Sequence, residues 1–539
     1  MYLMKRKIVT YKIVNIVACL AACLLVACIQ NDLPYPTVKL YITGMTVEGQ
    51  VGSAVISNED RKVTLELGET VNPKKVKVQT LELTEGGKAT IGPDAILDLT
   101  KPLKVTLSLY QDYDWTIEAT QNIARSFTVA GQVGQAHFYP ETHEASVNIP
   151  LEQGLDIIDL TGLKLGPTGS TINGKTEVPL LYWTRKDNFA TTKVRVKYSD
   201  FLDEEWTLYV NLSDIKVGVN SVDEWTNVAW VHGFGLLGQE NGCEYKKEGD
   251  ADWIRVDAAD VTQDGGNFTA RIIHLQANTT YVCRAYSGEE YGEETTFTTG
   301  EEATIPNMGF EDWHQEGKVI QPWGENDSPY WDTGNDGSSK AGKNITQPTD
   351  DIWSGAASGT KAAILSSQRV EILGLGKFAA GNLFVGEYRK TDGTNGILGF
   401  GREFSARPTK LKGHFKYTVA TIDNADEAHK ALIGEPDTCI VWIALGDWSE
   451  PVEIRTNPNN SKFFDKNDPN IIAYGEMNCA ETVSAYKEFE IDLDYRSTSR
   501  VPKYLLIVCS ASKYGDYFTG GAGSTMWVDD FSFEYDYDE

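Results

Sequence analysis

Lys104-Val-Thr-Leu-Ser-Leu-Tyr110 and Lys193-Val-Arg-Val-Lys-Tyr198 alternate apolar and polar residues at period two. That period sends successive side chains to opposite faces of a pleated strand, one face for a core and one for water. Similar runs recur along the 539 residues, separated by clusters of Gly, Asn and Asp. Helical periodicity is nearly absent, and its best candidate is the short stretch 424–432. Strands at such spacing predict an all-β chain of sandwiches. A weak internal repeat points the same way. The first run leads to Trp115-Thr-Ile and the second to Trp206-Thr-Leu, with 91 residues between the tryptophans. Each Trp-Thr-aliphatic run is expected to be the last strand of an immunoglobulin-like sandwich, its Trp in the core. The domains then fall at 36–122 and 123–213.

The charge balance narrows the partners. With 77 Asp and Glu against 49 Lys and Arg, the net charge is −28. Such a chain is repelled by phosphate backbones, which excludes nucleic acid. A hydrophobic content of 41% excludes wholesale disorder. Lys5, Arg6, Lys7 and Lys12 precede an apolar run over 13–29, which reads as a secretory signal. Five cysteines follow Cys28, namely Cys243, Cys283, Cys439, Cys479 and Cys509. An odd, widely spaced set is not a disulfide framework. Cys439 and Cys509 sit in strand-like runs as small hydrophobes; Cys243 and Cys283 either pair within one domain or stay free.

Several stretches resemble known families. Leu25-Val-Ala-Cys28 resembles the lipobox of bacterial lipoproteins, in which the cysteine is diacylated and becomes the new N-terminus. Leu20-Ala-Ala-Cys23 fits as well, but cutting there would leave the apolar residues 24–27 on the mature chain. The resemblance implies a signal peptide over 1–28, a linker over 29–35 and a lipid anchor at Cys28. Asn31-Asp-Leu-Pro-Tyr-Pro36 is similar to the same region of Bacteroides-type lipoproteins. That implies an outer-membrane location, with other glycan-uptake proteins as partners. Leu275-Gln-Ala-Asn-Thr-Thr-Tyr281 resembles the tyrosine corner of fibronectin type III modules, with Ala277 in the usual place of proline. That places a third sandwich over 214–301, a module that normally acts as a spacer.

Residues 302–539 resemble the family called "putative carbohydrate metabolism domain". The resemblance rests on Asn307-Met-Gly-Phe-Glu-Asp-Trp313, Trp331-Asp-Thr-Gly-Asn335, Ala379-Ala-Gly-Asn-Leu-Phe384, Arg407-Pro-Thr-Lys-Leu-Lys-Gly413, Tyr514-Gly-Asp-Tyr-Phe-Thr-Gly-Gly521 and Trp527-Val-Asp-Asp-Phe531, in that order. It implies a β-jelly roll akin to carbohydrate-binding modules. The expected architecture is therefore all-β, with tandem immunoglobulin-like and fibronectin type III-like sandwiches followed by a C-terminal jelly roll.

Two chemistries are expected in that last unit. First and last strands are neighbours in sugar-binding jelly rolls, so Glu311 and Asp530, with Asp529 as alternate, are candidate ligands for a structural Ca²⁺. Carbonyls near 355–361 would complete its shell of six to eight oxygens. Flat aromatics beside amides and carboxylates suit a sugar ring. Trp331, Asp332, Asn335, Trp353, Tyr514, Asp516 and Tyr517 are the candidate glycan-binding residues. The competing reading is that these rings plug the ends of the sandwich. No His-Glu-x-x-His, Gly-x-Ser-x-Gly or Walker loop occurs. A glycoside hydrolase needs a pair of carboxylates, which the sequence alone does not locate. Glycan binding is the expected function. Glycoside hydrolysis is the first alternative, and an adhesin-like surface protein that binds another protein is the second.

Overall fold

The computed structural model of the protein describes residues 40–538, apart from 59, 356–358, 373–374, 394 and 459. Cys28, its lipobox and the segment 31–36 lie outside the described residues. The described chain is all-β, with one α-helical turn at Asn335–Ser338. No helix among the described residues is long and apolar enough to cross a membrane. The helix anticipated over 424–432 reduces to a 3-10 turn at Lys430–Leu432. So short a segment does not hold an α-helix by itself. Asp426 instead accepts both the main-chain N–H and the ring nitrogen of His429.

The chain divides between Asn122 and Ile123 into two compact units. The first is a sandwich. Its smaller sheet holds Ile42–Val47, Val76–Leu83 and Ile96–Leu97. The larger is ordered Gln50–Ser57, Lys62–Leu67, Asp112–Gln121, Leu103–Ser108 and Lys88–Ala89. Alternation sends Val105, Leu107, Trp115 and Ile117 into one core. The second unit opens with a related sandwich around Trp206. Trp115 and Trp206 are both fully buried. Each stands on the last strand of its sandwich, Asp112–Gln121 or Leu202–Ser213. That strand pairs antiparallel with its hairpin partner and parallel with the earlier Lys62–Leu67 or Glu144–Pro150.

A second repeat escapes period analysis. Gly49-Gln-Val-Gly52 and Gly131-Gln-Val-Gly134 form equivalent turns, with all four glycines at positive φ. Gln50 Oε1 accepts from the Val47 N–H while its Nε2 donates to the Gly52 carbonyl. Gln132 makes the same two bonds with Val129 and Gly134. The left-handed backbone favours glycine there, and a four-residue turn carries no hydrophobic period to reveal it.

Within the second unit, the strands from Gly218 to Thr298 form a further sandwich. Gly218–Glu224, Ala229–Phe234, Asn267–Ile272 and Val261–Asp264 make one sheet. Asn241–Lys247 and Thr280–Ser287 centre the other. The Tyr281 hydroxyl accepts from the Gln276 N–H at 2.9 Å, so the corner forms with Ala277 in place of proline. Cys243 and Cys283 are free and buried, and the Cys243 thiol donates to the Glu244 carbonyl at 3.4 Å. Cys243 faces Ala285 and Cys283 faces Tyr245 across the sheet, so the two thiols meet on a diagonal.

This module is bonded on both sides. On one side Gly134 donates to the Gly235 carbonyl at 2.9 Å, and Leu237 to that of Gln132 at 2.7 Å. On the other, the buried Trp225 donates its indole N–H to the Thr498 carbonyl at 3.0 Å. Its ring lies 4.3 Å from that of Tyr495. Arg407 reaches back to the Glu224 carbonyl at 3.3 Å.

Residues 302–538 close as a jelly roll. The smaller sheet is ordered Thr346–Thr349, Ala362–Ser366, Thr525–Glu534, Lys410–Thr418 and Val483–Asp492. The larger runs Val452–Arg455, Asn395–Phe400, Asn382–Asp392, Tyr504–Ser510, Cys439–Gly446, Ile471–Cys479 and Asp494–Tyr495. Two further strands, Trp331–Thr333 and Arg402–Glu403, pair beside that path. Leu383, Val441, Ile443 and Ile507 meet Leu365, Leu411 and Val528 between the sheets. The alternate residues Phe384, Trp442, Leu506 and Val508 point the other way, into a second apolar cluster.

Trp225→Ala is expected to cost about 3–5 kcal/mol, as for a buried Trp. Calorimetry of the full chain checks it. The fibronectin-like module should melt at lower temperature than the jelly roll, and a profile identical to wild type would show that the docking contributes nothing.

Candidate functional site

The second apolar cluster floors a cavity of about 180 Å³ on the outer face of the larger sheet. Phe384, Phe400 and Trp442 are part of its lining. Their rings form a chain, with centroids 4.9 Å apart between Phe384 and Phe400 and 6.1 Å apart between Phe400 and Trp442. Phe384 and Trp442 come from strands whose neighbouring residues face the inter-sheet core, so period two places them outward. A two-stranded hairpin, Gln368–Ile372 with Leu375–Ala379, supplies a wall that includes Lys377 and Phe378. The turn Gly515–Tyr517, which ends at Phe518 in left-handed conformation with φ 53°, adjoins the hairpin and adds Gly515, Asp516 and Phe518 to the lining.

Charge is held close to this apolar floor. The Lys377 ammonium donates to Asn395 and lies 3.6 Å from the centre of the Phe518 ring. Burial pushes it down to about 8. Asp516 also lines the cavity, and burial pushes its carboxyl up to about 6. Asn382, Thr391 and Ser510 add hydrogen-bonding groups. The cavity is smaller than the several hundred cubic ångströms of a drug-sized site, so it suits a single ring.

Of the anticipated glycan-binding residues, Asp516 alone lines this cavity. Trp331 is fully buried, edge-on to Phe310 and Phe531, and donates its indole N–H to the Pro306 carbonyl. It presents no free face, so its assignment as a sugar platform is corrected to core. Asp332 is buried as well, and accepts from the N–H groups of Thr333 and Tyr388 at 2.7 Å each. Burial pushes its carboxyl up to about 7. Since Tyr388 lines the cavity, Asp332 positions a wall residue and does not face a ligand. Asn335 is spent on the carbonyls of Ile320 and Thr346 and the N–H of Thr346. Trp353 stacks at 3.6 Å on His414, a residue of the smaller sheet, away from the cavity. Tyr514 and Tyr517 lie against His429, at 4.8 and 4.7 Å, and Tyr517 also meets Phe463 at 4.3 Å.

The calcium candidates are met by donors. Both oxygens of Glu311 accept from the main-chain N–H groups of Thr360 and Lys361 at 2.9–3.2 Å. Asp529 accepts from the N–H of Trp353 and of Asp530. Asp530 itself has left-handed backbone. Calcium needs a shell of oxygens, and among the described residues no three metal-ligating side chains converge. Glu311 thus latches the first strand region to the 360–361 loop through hydrogen bonds.

Lys377, Asn395, Phe400, Trp442 and Phe518 were not among the anticipated site residues. Trp442 lies in Cys-Ile-Val-Trp-Ile-Ala-Leu-Gly, a run with no polar position to mark a second face. Asn382–Asp392 and Asn395–Phe400 flank a turn containing Gly393, but neither alternates, since each holds a continuous buried run that marks no second face.

The fold and cavity define a multidomain all-β protein that ends in a jelly roll with a polar, aromatic-floored recess. Residues 309–534 match the family model described as "Putative carbohydrate metabolism domain", so the C-terminal unit is a carbohydrate-metabolism-related domain. No curated protein matches the chain. Among solved structures, a "putative glycoside hydrolase" of Bacteroides thetaiotaomicron is 14% identical, over 94% of this chain and 99% of that one, with TM-score 0.31. A "putative glycoside hydrolase" of Bacteroides vulgatus is 21% identical, over 42% of this chain and 96% of that one, with TM-score 0.33. The FN1–FN3 domains of chicken CNTN1 are 11% identical, over 48% of this chain and 99% of theirs, with TM-score 0.14.

Asp516 yields a pH test. Burial pushes its carboxyl up to about 6 in the folded chain, above the 3.8 of a free one. The neutral form is therefore favoured by folding, and that stability is lost as pH rises from 4 through 6. Asp516→Asn is expected to melt a few degrees above wild type at pH 7.5 and level with it at pH 4. An equal difference at both values would contradict the assignment.

Proposed function

We propose that the jelly roll binds glycan, seating one sugar ring in the concave cavity. The observation that carries this reading is the recess over the buried rings of Phe384, Phe400 and Trp442, in which the half-buried ring of Phe518 stands beside Lys377, Asn395 and Asp516. Sugar rings have apolar C–H faces that pack on flat aromatics and hydroxyls that need polar partners. The family described for residues 309–534 supports the same class of ligand. Binding is favoured over hydrolysis because Asp516 is the single carboxylate among the described lining residues. Retaining and inverting glycosidases both require two. The full chain on a glycan array tests the proposal. A bound glycan should lose about five- to 150-fold in affinity with Phe518→Ala, by analogy with the 1–3 kcal/mol of base stacking. Release of reducing sugar would favour the hydrolase reading instead. Capture of protein with no glycan bound would favour the adhesin-like one.

Anchoring through diacylated Cys28 would hold this domain at the outer membrane, where other glycan-uptake proteins would be its partners. Two acyl chains suffice for stable attachment. The support is the basic start, the apolar run and the Leu-Val-Ala-Cys28 box. Fatty-acid labelling should disappear in Cys28→Ala; labelling that persists would move the anchor to Cys23.

A further inference from the structure

The concave cavity inverts the charge balance of the chain. The protein carries 77 acids against 49 Lys and Arg. The charged side chains lining the cavity are Lys340, Lys377 and Lys513, against Asp516 alone. Lys377 is held on two sides. Its ammonium is held between the Asn395 side chain and the face of Phe518, on a hairpin strand paired to Gln368–Ile372. Lys340 is oriented by a bond to Thr391 Oγ1, whose hydroxyl in turn meets Tyr388. An ammonium drawn against an apolar floor has lost part of its hydration, a cost that an arriving anion offsets. Elsewhere on this chain the prevailing charge repels anions, which makes a cationic recess a site of discrimination.

From this arrangement we infer that the sugar unit taken by the cavity bears an anionic substituent, a carboxylate or a sulfate, which pairs with Lys377. The inference rests on the glycan reading above and adds the chemical class of the ligand. The aromatic floor receives the ring, and the lysines receive the charge at its edge. Asp516 faces the same space, so hydroxyls are its partners and the anionic group is directed to the hairpin wall.

Calorimetric titration of the full chain tests it with three probes: oligogalacturonate for a carboxylate, carrageenan oligosaccharide for a sulfate, and malto-oligosaccharide as the neutral ring. One anionic probe should bind at least about tenfold tighter than the neutral one, and the stronger of the two identifies the substituent. Lys377→Met, which keeps the apolar stem, should weaken that probe about tenfold, and Lys377→Arg should retain it. Melting curves confirm that both variants fold. Neutral binding as tight as anionic binding would overturn this inference and leave the glycan reading standing. An anionic probe that ignores Lys377→Met in a folded variant would also overturn it, because the charge would be met elsewhere. Binding of none of the three, with none on the array either, would remove the glycan reading and this inference together.

Discussion

Every residue of Cys439–Gly446 is buried. One set of its side chains, Cys439, Val441, Ile443 and Leu445, fills the space between the two sheets. The other set, Ile440, Trp442 and Ala444, faces outward into a second apolar cluster. Most antiparallel sheets leave one face to water. Here the larger sheet keeps both dry near its centre, because the hairpin at Gln368–Ile372 and Leu375–Ala379 and the 515–518 turn bring residues over its outer face. The rest of the jelly roll depends on that double burial. It anchors the neighbouring strands Tyr504–Ser510 and Ile471–Cys479, and it makes an aromatic floor available where a single-faced sheet would carry polar residues.

The cost of this arrangement falls on the ionisable groups that share the buried volume. Asp332, Asp516 and Asp529 are all pushed upward by desolvation, and Lys377 downward. Their roles differ. Asp332 and Asp529 spend their oxygens on main-chain N–H groups and so fix strands and loops. Asp516 and Lys377 line open space. Groups held against their charge preference beside a cavity are more economically explained by a ligand than by stability. Asp437 makes the contrast plain. It is buried too, yet it gathers Ser512, Ser524 and the N–H of Gly521, tying three loop segments at one end of the sandwich.

Rigidity extends beyond the jelly roll. Trp225 and Arg407 join it to the fibronectin-like module, and the bonds from Gly134 to Gly235 and from Leu237 to Gln132 join that module to the sandwich before it. Within the second compact unit the domains share main-chain hydrogen bonds as well as side-chain packing. That presents the cavity on a stiff support, which suits recognition better than a loosely tethered domain would.

How much of this is legible in the sequence depends on whether the deciding contact is local. Alternation at period two is a local property, so strands, sandwiches and the burial of Trp115 and Trp206 followed from sequence. So did the Tyr281 corner, whose partner lies five residues away. The family resemblance of the last domain was legible too, because its motifs stand in order along the chain. The site was not. Trp331 and Trp442 are both tryptophans in strands, and nothing local distinguishes the one sealed between Phe310 and Phe531 from the one that floors a cavity. Lys377 and Phe518 are far apart in sequence and meet only because a hairpin and a turn fold over the same sheet face. Which face of a strand points to which core is set by how sheets stack and what covers them. That is a long-range outcome of burial, and the tertiary structure alone decided it.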